Sequence, residues 1–224
     1  MKRTALLRFI RRAAQTVPSV VEHLGPQAQA TLKAAGDLSV YNADYHDAIT
    51  NSLLEFFKGG SVIAPRNSFK RATTQYFADA FILGFQDGDG EMPLDQEMNA
   101  WLDTRIDQEF GNINMLFEQA KGLRKEERDY FSWITARADG YTGTLASVYN
   151  SGMLFARKNQ MLTWRLGQTE KHCATCSDLN GKAHRAKWYV AHDYIPRKPG
   201  AAMDCGGYNC DCRLEDPKRN EITI

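Results

Sequence analysis

The chain has 224 residues, of which 43% are hydrophobic, enough to bury the core of one domain or of one domain with a small appendage. Its 28 basic residues nearly balance its 27 acidic ones, so no global field draws it to nucleic acid or to an anionic membrane, and any such contact must come from a local patch. No apolar run reaches the ~18 residues of a membrane-spanning helix.

Met1 to Arg12 mixes Lys2, Arg3, Arg8, Arg11 and Arg12 with Leu6, Leu7, Phe9 and Ile10. That apolar stretch is too short and interrupted for an export signal, and the chain is expected to stay in the cytoplasm where it is made or to be packaged there into a particle. Residues 3–16 read as an amphipathic helix ended by Val17-Pro18, because the residue before proline is pushed out of the α region. The dense basic face reads either as a solvated surface or as an arm laid on a partner protein or DNA. Pro26 suits the first position of a helix that runs through Ala35 and stops at Gly36.

From Asp44 to Lys58, apolar residues including Tyr45, Ile49, Leu53 and Phe56 recur at spacings of three and four, and Gly59-Gly60 ends the pattern; this predicts a helix. A second helix is predicted from Asn67 or Ser68, with Phe69, Tyr76, Phe77, Phe81 and Phe85 as a core-facing stripe. Asp87-Gly88-Asp89-Gly90-Glu91 resembles a calcium loop, but Met92 and Met98 occupy the positions that need Gly and a bidentate Glu, so an acidic turn is predicted. Leu94 to Ala120 reads as a long helix bent at Gly111, and a further element covers Tyr130 to about Ala138. Gly140 and Gly143 are expected to loosen the chain before another helix from Thr144 to about Leu166. No five-residue segment alternates strictly before the cysteines, and no repeat is visible. The predicted fold class is therefore mainly α: a helical body over residues 1–166, with a basic arm at 1–17, then a small, irregular cysteine-rich module with little strand over 167–224.

That module holds all five cysteines. Cys173 and Cys176 form one C-x-x-C hook, and Cys205, Cys210 and Cys212 form a second within Cys205-Gly206-Gly207-Tyr208-Asn209-Cys210-Asp211-Cys212. Two residues between thiols let one tight turn aim both sulfurs at a single Zn²⁺. Gly206 and Gly207 let the second hook curl at positive φ. Structural zinc is the expected cofactor, held by Cys173, Cys176 and Cys210 with Cys205 or Cys212 as the fourth ligand. Disulfides fit poorly with an odd cysteine count, a redox C-x-x-C needs a βαβ setting, and unligated thiols are the remaining alternative.

Trp164, Thr169-Glu170, Cys173-x-x-Cys176, Leu179-Asn180-Gly181, the prolines Pro196 and Pro199, and Asn209-Cys210-Asp211-Cys212-Arg213-Leu214 follow one another in an order that resembles the C-terminal signature of the phage head-morphogenesis proteins, the Mu F-like minor head proteins. Tyr149-Asn150-Ser151-Gly152 and Ala156 are similar to the helix that precedes this signature, so the resemblance spans residues 149–214. It departs where the family commonly has His-Pro-Asn-Cys-Arg-Cys: Gly207-Tyr208 stand for His-Pro, and Asp211 stands for Arg. The resemblance implies a structural or assembly protein of a tailed-bacteriophage head, sited near the portal or in the head interior. Its implied partners are the portal or other head proteins, and viral DNA.

The catalytic alternative is an HNH-like zinc-containing nuclease, since Val190-Ala191-His192-Asp193-Tyr194 lies between the hooks. Such a site needs a histidine base and further metal ligands, and Tyr194 stands where a ligating histidine is expected. A zinc deaminase lacks its H-x-E step, as His184 is followed by Arg185-Ala186. No catalytic residues, small-molecule substrate or membrane span are predicted. Lys182, Arg185, Lys187, Arg197 and Lys198, interleaved with Trp188, Tyr189 and Tyr194, read as a phosphate- and base-contacting loop, as a surface facing an acidic protein rim, or as a solvated loop.

Overall fold

The computed structural model describes residues 38–59, 61–125, 130–168, 171–196, 201–207 and 212–216. The basic arm at 1–17, the helix expected from Pro26, and Arg197, Lys198 and Cys210 lie outside the described residues. The architecture is mainly α, with a small cysteine-rich module after a helical body. Among the described residues four helices build that body: α1 (Leu38–Phe57), α2 (Ile63–Asp87), α3 (Gln96–Lys125) and α4 (Phe131–Ala156). Among the described residues no helix is long and apolar enough to cross a membrane.

Each helix follows its apolar stripe, but the ends shift from their expected places. α1 starts at Leu38 because Leu38 and Tyr41 continue the face of the buried Tyr45 onto the core. α2 begins at Ile63 and takes Pro65 into its first turn, where a missing N–H costs nothing. The Ile63 N–H donates to the Ser61 hydroxyl at 3.2 Å. Asp95 precedes α3 and accepts from the Met98 N–H at 2.9 Å, a bond that holds its carboxyl below the usual range. Where Gly140 and Gly143 were expected to interrupt the chain, α4 is one continuous helix. Each glycine costs about 1 kcal/mol in a helix, less than the burial of Ile134, Ala138, Leu145 and Val148 on α4 provides.

Aromatic rings fill the core between the four helices. Tyr45 is fully buried against Phe69, Tyr76 and Phe77, with ring centroids 5.4–6.4 Å apart, and its hydroxyl is 2.9 Å from that of Thr73. Phe57 stacks on Tyr130 at 4.4 Å and ties the end of α1 to the start of α4. α2 and α4 cross with almost no side chain between them. A Cβ on Gly84 would collide with the Tyr149 carbonyl, and one on Gly152 with the Phe81 carbonyl.

After Ala156 the chain departs from the predicted helix to Leu166. A turn leads instead into strand β1 (Met161–Arg165), the centre of a three-stranded antiparallel sheet. β2 (Ala183–Arg185) pairs on one edge, Leu162 opposite His184, and β3 (Arg213–Glu215) on the other, Trp164 opposite Leu214. Leu162, Thr163 and Trp164 are all buried, so β1 is covered on both faces and shows none of the alternation that marks a half-exposed strand. Two short helices, α5 (Ala174–Leu179) and α6 (Ala186–Ala191), complete the module. Its core gathers Leu162, Trp164, Cys176, Leu179, Tyr189, Ile195, Met203, Cys212 and Leu214 against Met153 and Leu154 of α4.

The glycines of α4 should answer substitution with opposite signs. Gly152→Ala is expected to destabilise the protein by roughly 1–3 kcal/mol through backbone collision. Nothing lies within 4 Å of a Cβ at Gly140 or Gly143, so alanine at either is expected to stabilise by about 0.5–1 kcal/mol. Urea denaturation of the three variants beside the wild type checks both signs.

Candidate metal centre

Cys173 caps the N-terminus of α5 in an extended conformation, φ −70° and ψ 163°, and its sulfur accepts the Cys176 N–H at 3.4 Å. The first turn of α5 thereby folds the C-x-x-C hook back on itself. Asn180-Gly181 then reverses the chain into β2, with Gly181 at φ +77° and its N–H donating to the Trp164 carbonyl at 2.9 Å. The second hook turns at Gly206 and Gly207, φ +58° and +73°, the left-handed conformation expected of them. The Gly206 N–H closes that turn on the Met203 carbonyl at 2.7 Å.

These turns bring the sulfurs of Cys173, Cys176 and Cys205 within 4.8 Å of one another. Zinc–sulfur bonds of about 2.3 Å in a tetrahedron place sulfurs about 3.8 Å apart, a separation compatible with this group. Cys176 is buried, and Cys173 and Cys205 are half-buried. Burial pushes the Cys173 thiol up, but hydrogen bonds from the N–H groups and thiols of Cys176 and Cys205 outweigh it and hold the thiol below its ordinary range. The thiolate is the form that ligates metal, so hydrogen bonding and ligand chemistry favour the same state. The three thiols could hold a metal ion, and their softness suits zinc.

Of the other expected ligands, Cys210 lies outside the described residues. Cys212 is buried in the apolar core beside Leu214 and does not join the group of three. None of the four described cysteines is in a disulfide.

One contact between the hooks was not anticipated. The Asp204 carboxylate accepts both the backbone N–H and the hydroxyl of Thr175, at 2.8 and 2.7 Å, while the Asp204 N–H donates to the Thr175 hydroxyl at 3.2 Å. Thr175 and Asp204 each directly precede a clustered cysteine, so this clamp sets one hook against the other. The sequence signal is slight: a hydroxyl and a carboxylate at matching places before Cys176 and Cys205. Beneath the hooks, the Tyr189 hydroxyl donates toward the Leu162 and Lys182 carbonyls at 3.1 and 3.2 Å, and burial pushes its phenol up to about 12.

The residues of the nuclease alternative sit elsewhere. His192 is exposed at the end of α6, its Nδ1–H donating to the Trp188 carbonyl at 2.9 Å, and Asp193 follows at φ +55°. Asp193 also borders a cleft of about 880 Å³ between α3 and α4. At that cleft Arg105 and Glu109, both buried, pair at 3.3 Å; burial pushes the Glu109 carboxyl up against the opposing pull of Arg105. Among the described residues, the thiol cluster is the one grouping of three metal-ligating side chains.

No family model, curated protein or solved structure matches the chain.

Hydrogen bonds from Thr175 hold the Asp204 carboxyl below the usual carboxylate range. A group whose folded value is depressed stabilises fully above its unfolded value and stops doing so as pH falls through the folded one. Asp204→Ala is therefore expected to leave the module less stable than wild type near neutral pH, with the gap closing on acidification. Thermal unfolding followed by tryptophan fluorescence across that pH range measures the gap.

Proposed function

We propose that this chain is a structural component of a tailed-bacteriophage head, associated with the portal or the head interior, whose C-terminal module is cross-linked by one structural Zn²⁺ and contacts viral DNA. The observation that carries the reading is that the described landmarks of the resemblance belong to one packed unit. Trp164 and Leu214 face each other across the sheet, Leu179 and Cys176 pack beneath them, Asn180-Gly181 make the reversing turn, and Cys173 and Cys176 meet the second hook at the thiol cluster. A signature scattered over the surface would offer no such support.

Cys173, Cys176 and Cys205 supply three ligands in this reading, and Cys210 the fourth, because Cys212 does not join the cluster of sulfurs. The ion contributes no chemistry beyond fixing the two hooks, a role worth roughly 10–16 kcal/mol apparent in small zinc modules. The residues do the rest: Asp204 and Thr175 set the hooks' spacing, and the N–H groups of Cys176 and Cys205 keep the Cys173 sulfur ready to ligate. A rigid module on a helical body suits a protein that works by docking.

Elemental analysis of protein purified under reducing conditions should find one zinc per chain. Cys205→Ser should weaken the thiolate-to-metal absorption of the cobalt-substituted protein, whereas Cys212→Ser should leave it unchanged and lose packing stability alone. Co-expression with portal and capsid proteins should place the wild type in assembled heads and exclude Cys176→Ser. Its absence from heads, or metal-dependent cleavage of duplex DNA that vanishes in His192→Ala, would overturn the assembly reading, the second outcome in favour of a nuclease.

A further inference from the structure

The surface above the module core carries a preformed stack of rings. His184, at the middle of β2, lies against Trp188 with ring centroids 3.7 Å apart and planes 14° from parallel; Trp188 lies against His192 at 4.1 Å and 28°. Tyr194 stands alongside, 5.9 Å from His192 and 5.7 Å from Trp188. His184, Trp188 and Tyr194 are half-buried and His192 is exposed, so the ladder has one open end. Its geometry is locked from below and at its rim. The edge of Trp188 rests on the anchored Tyr189 at 5.3 Å and 86°, and the His192 ring is held by its bond to the Trp188 carbonyl.

Each ring pair contributes to the fold, and the exposed ring of His192 at the end of the stack is also left available to a planar ligand. The charges next to the ladder residues along the chain say which planar ligand. Lys182 and Lys187 are exposed, Arg185 donates to the Asn159 carbonyl at 3.0 Å, and the one acidic residue between 182 and 194, Asp193, borders the α3–α4 cleft. Rings for planar groups beside cations for phosphates are the features of a single-strand nucleic-acid platform, which accepts any base because every base has a π face.

We infer that a single-stranded nucleic acid binds here, with a base stacked on the exposed ring of His192 and neighbouring phosphates held by Lys182 and Lys187. Duplexes are disfavoured because their bases are already stacked on one another. Because the rings are ordered before the ligand arrives, little conformational freedom is lost on binding. The inference goes beyond the assembly reading, which by itself calls for no single-stranded ligand. Oligonucleotide binding by the purified chain is a readout separate from incorporation into heads, and either can fail without the other.

Fluorescence anisotropy of labelled 15-mer dT and rU strands, and of a duplex of equal length, tests it on the full chain at low salt. One or both single strands should bind more tightly than the duplex, and the tighter of the two identifies DNA or RNA. His192→Ala should weaken binding about tenfold, the effect of one lost stacked base, without changing the metal content of the protein. The Lys182→Ala, Lys187→Ala double variant should lower the slope of log K against log salt by about 1.4, as expected for two phosphate contacts on a single strand. Failure of the wild type to bind either strand, His192→Ala binding equal to wild type, or equal competition by poly-glutamate would overturn the inference. The last would show that charge alone carries the contact and that an acidic protein would serve.

Discussion

The close crossing of α2 and α4 is the constraint on which the rest depends. Gly84 and Gly152 let each helix touch the other's backbone, so α4 is fixed against α2 along its C-terminal half. That half has two working faces. Phe155 points into the aromatic core of the body, while Met153 and Leu154 belong to the core of the cysteine module. Rotating α4 to relieve either glycine contact would lift one of these faces from its partner. The module is thus seated by the same helix that completes the body, and Tyr149 packs against both cores.

The module itself is a small fold stabilised from three directions. Its central strand contributes Leu162 and Trp164 to an apolar core that α4 closes. Its hooks are set together by the Asp204–Thr175 clamp, and its thiols converge on one centre. A segment of this size buries too little apolar surface to be securely stable alone, the usual reason for short domains to recruit a metal or a disulfide. The arrangement is economical in side chains: one turn of α5 supplies two of the three clustered sulfurs and also orients Thr175 for the clamp. With the hooks occupied in holding the module, its outward face at α6 is left to carry the ring stack.

Those two parts of the module divide the cysteines and the aromatic residues between them. Cys173, Cys176 and Cys205 cluster, whereas Cys212 behaves as a small apolar residue at the head of β3, the usual habit of a buried thiol. Tyr189 faces inward and bonds two carbonyls, while its neighbour Trp188 faces outward between two imidazoles. Adjacent residues of one short helix serve the core and the surface.

The sequence by itself determined the described helices of the body, because apolar spacings of three and four over long stretches leave few alternatives to packed helices, and it determined the C-x-x-C hook and the glycine turn opposite it, because those are local backbone requirements. Tertiary structure decided what depended on distant partners. α4 runs through Gly140 and Gly143 because the core it covers outweighs two flexible residues. β1 replaced the expected continuation of a helix because Leu162, Thr163 and Trp164 are covered on both faces, which erases the alternation by which a strand is read from sequence. The four described cysteines are chemically alike, and the fold separates them: the turn at Gly206 and Gly207 brings Cys205 to the first hook, while Cys212, at the head of β3, stays outside that cluster. Spacing along a chain sets what a short turn can bring together, and contacts between residues far apart in sequence set which of those possibilities the folded protein uses.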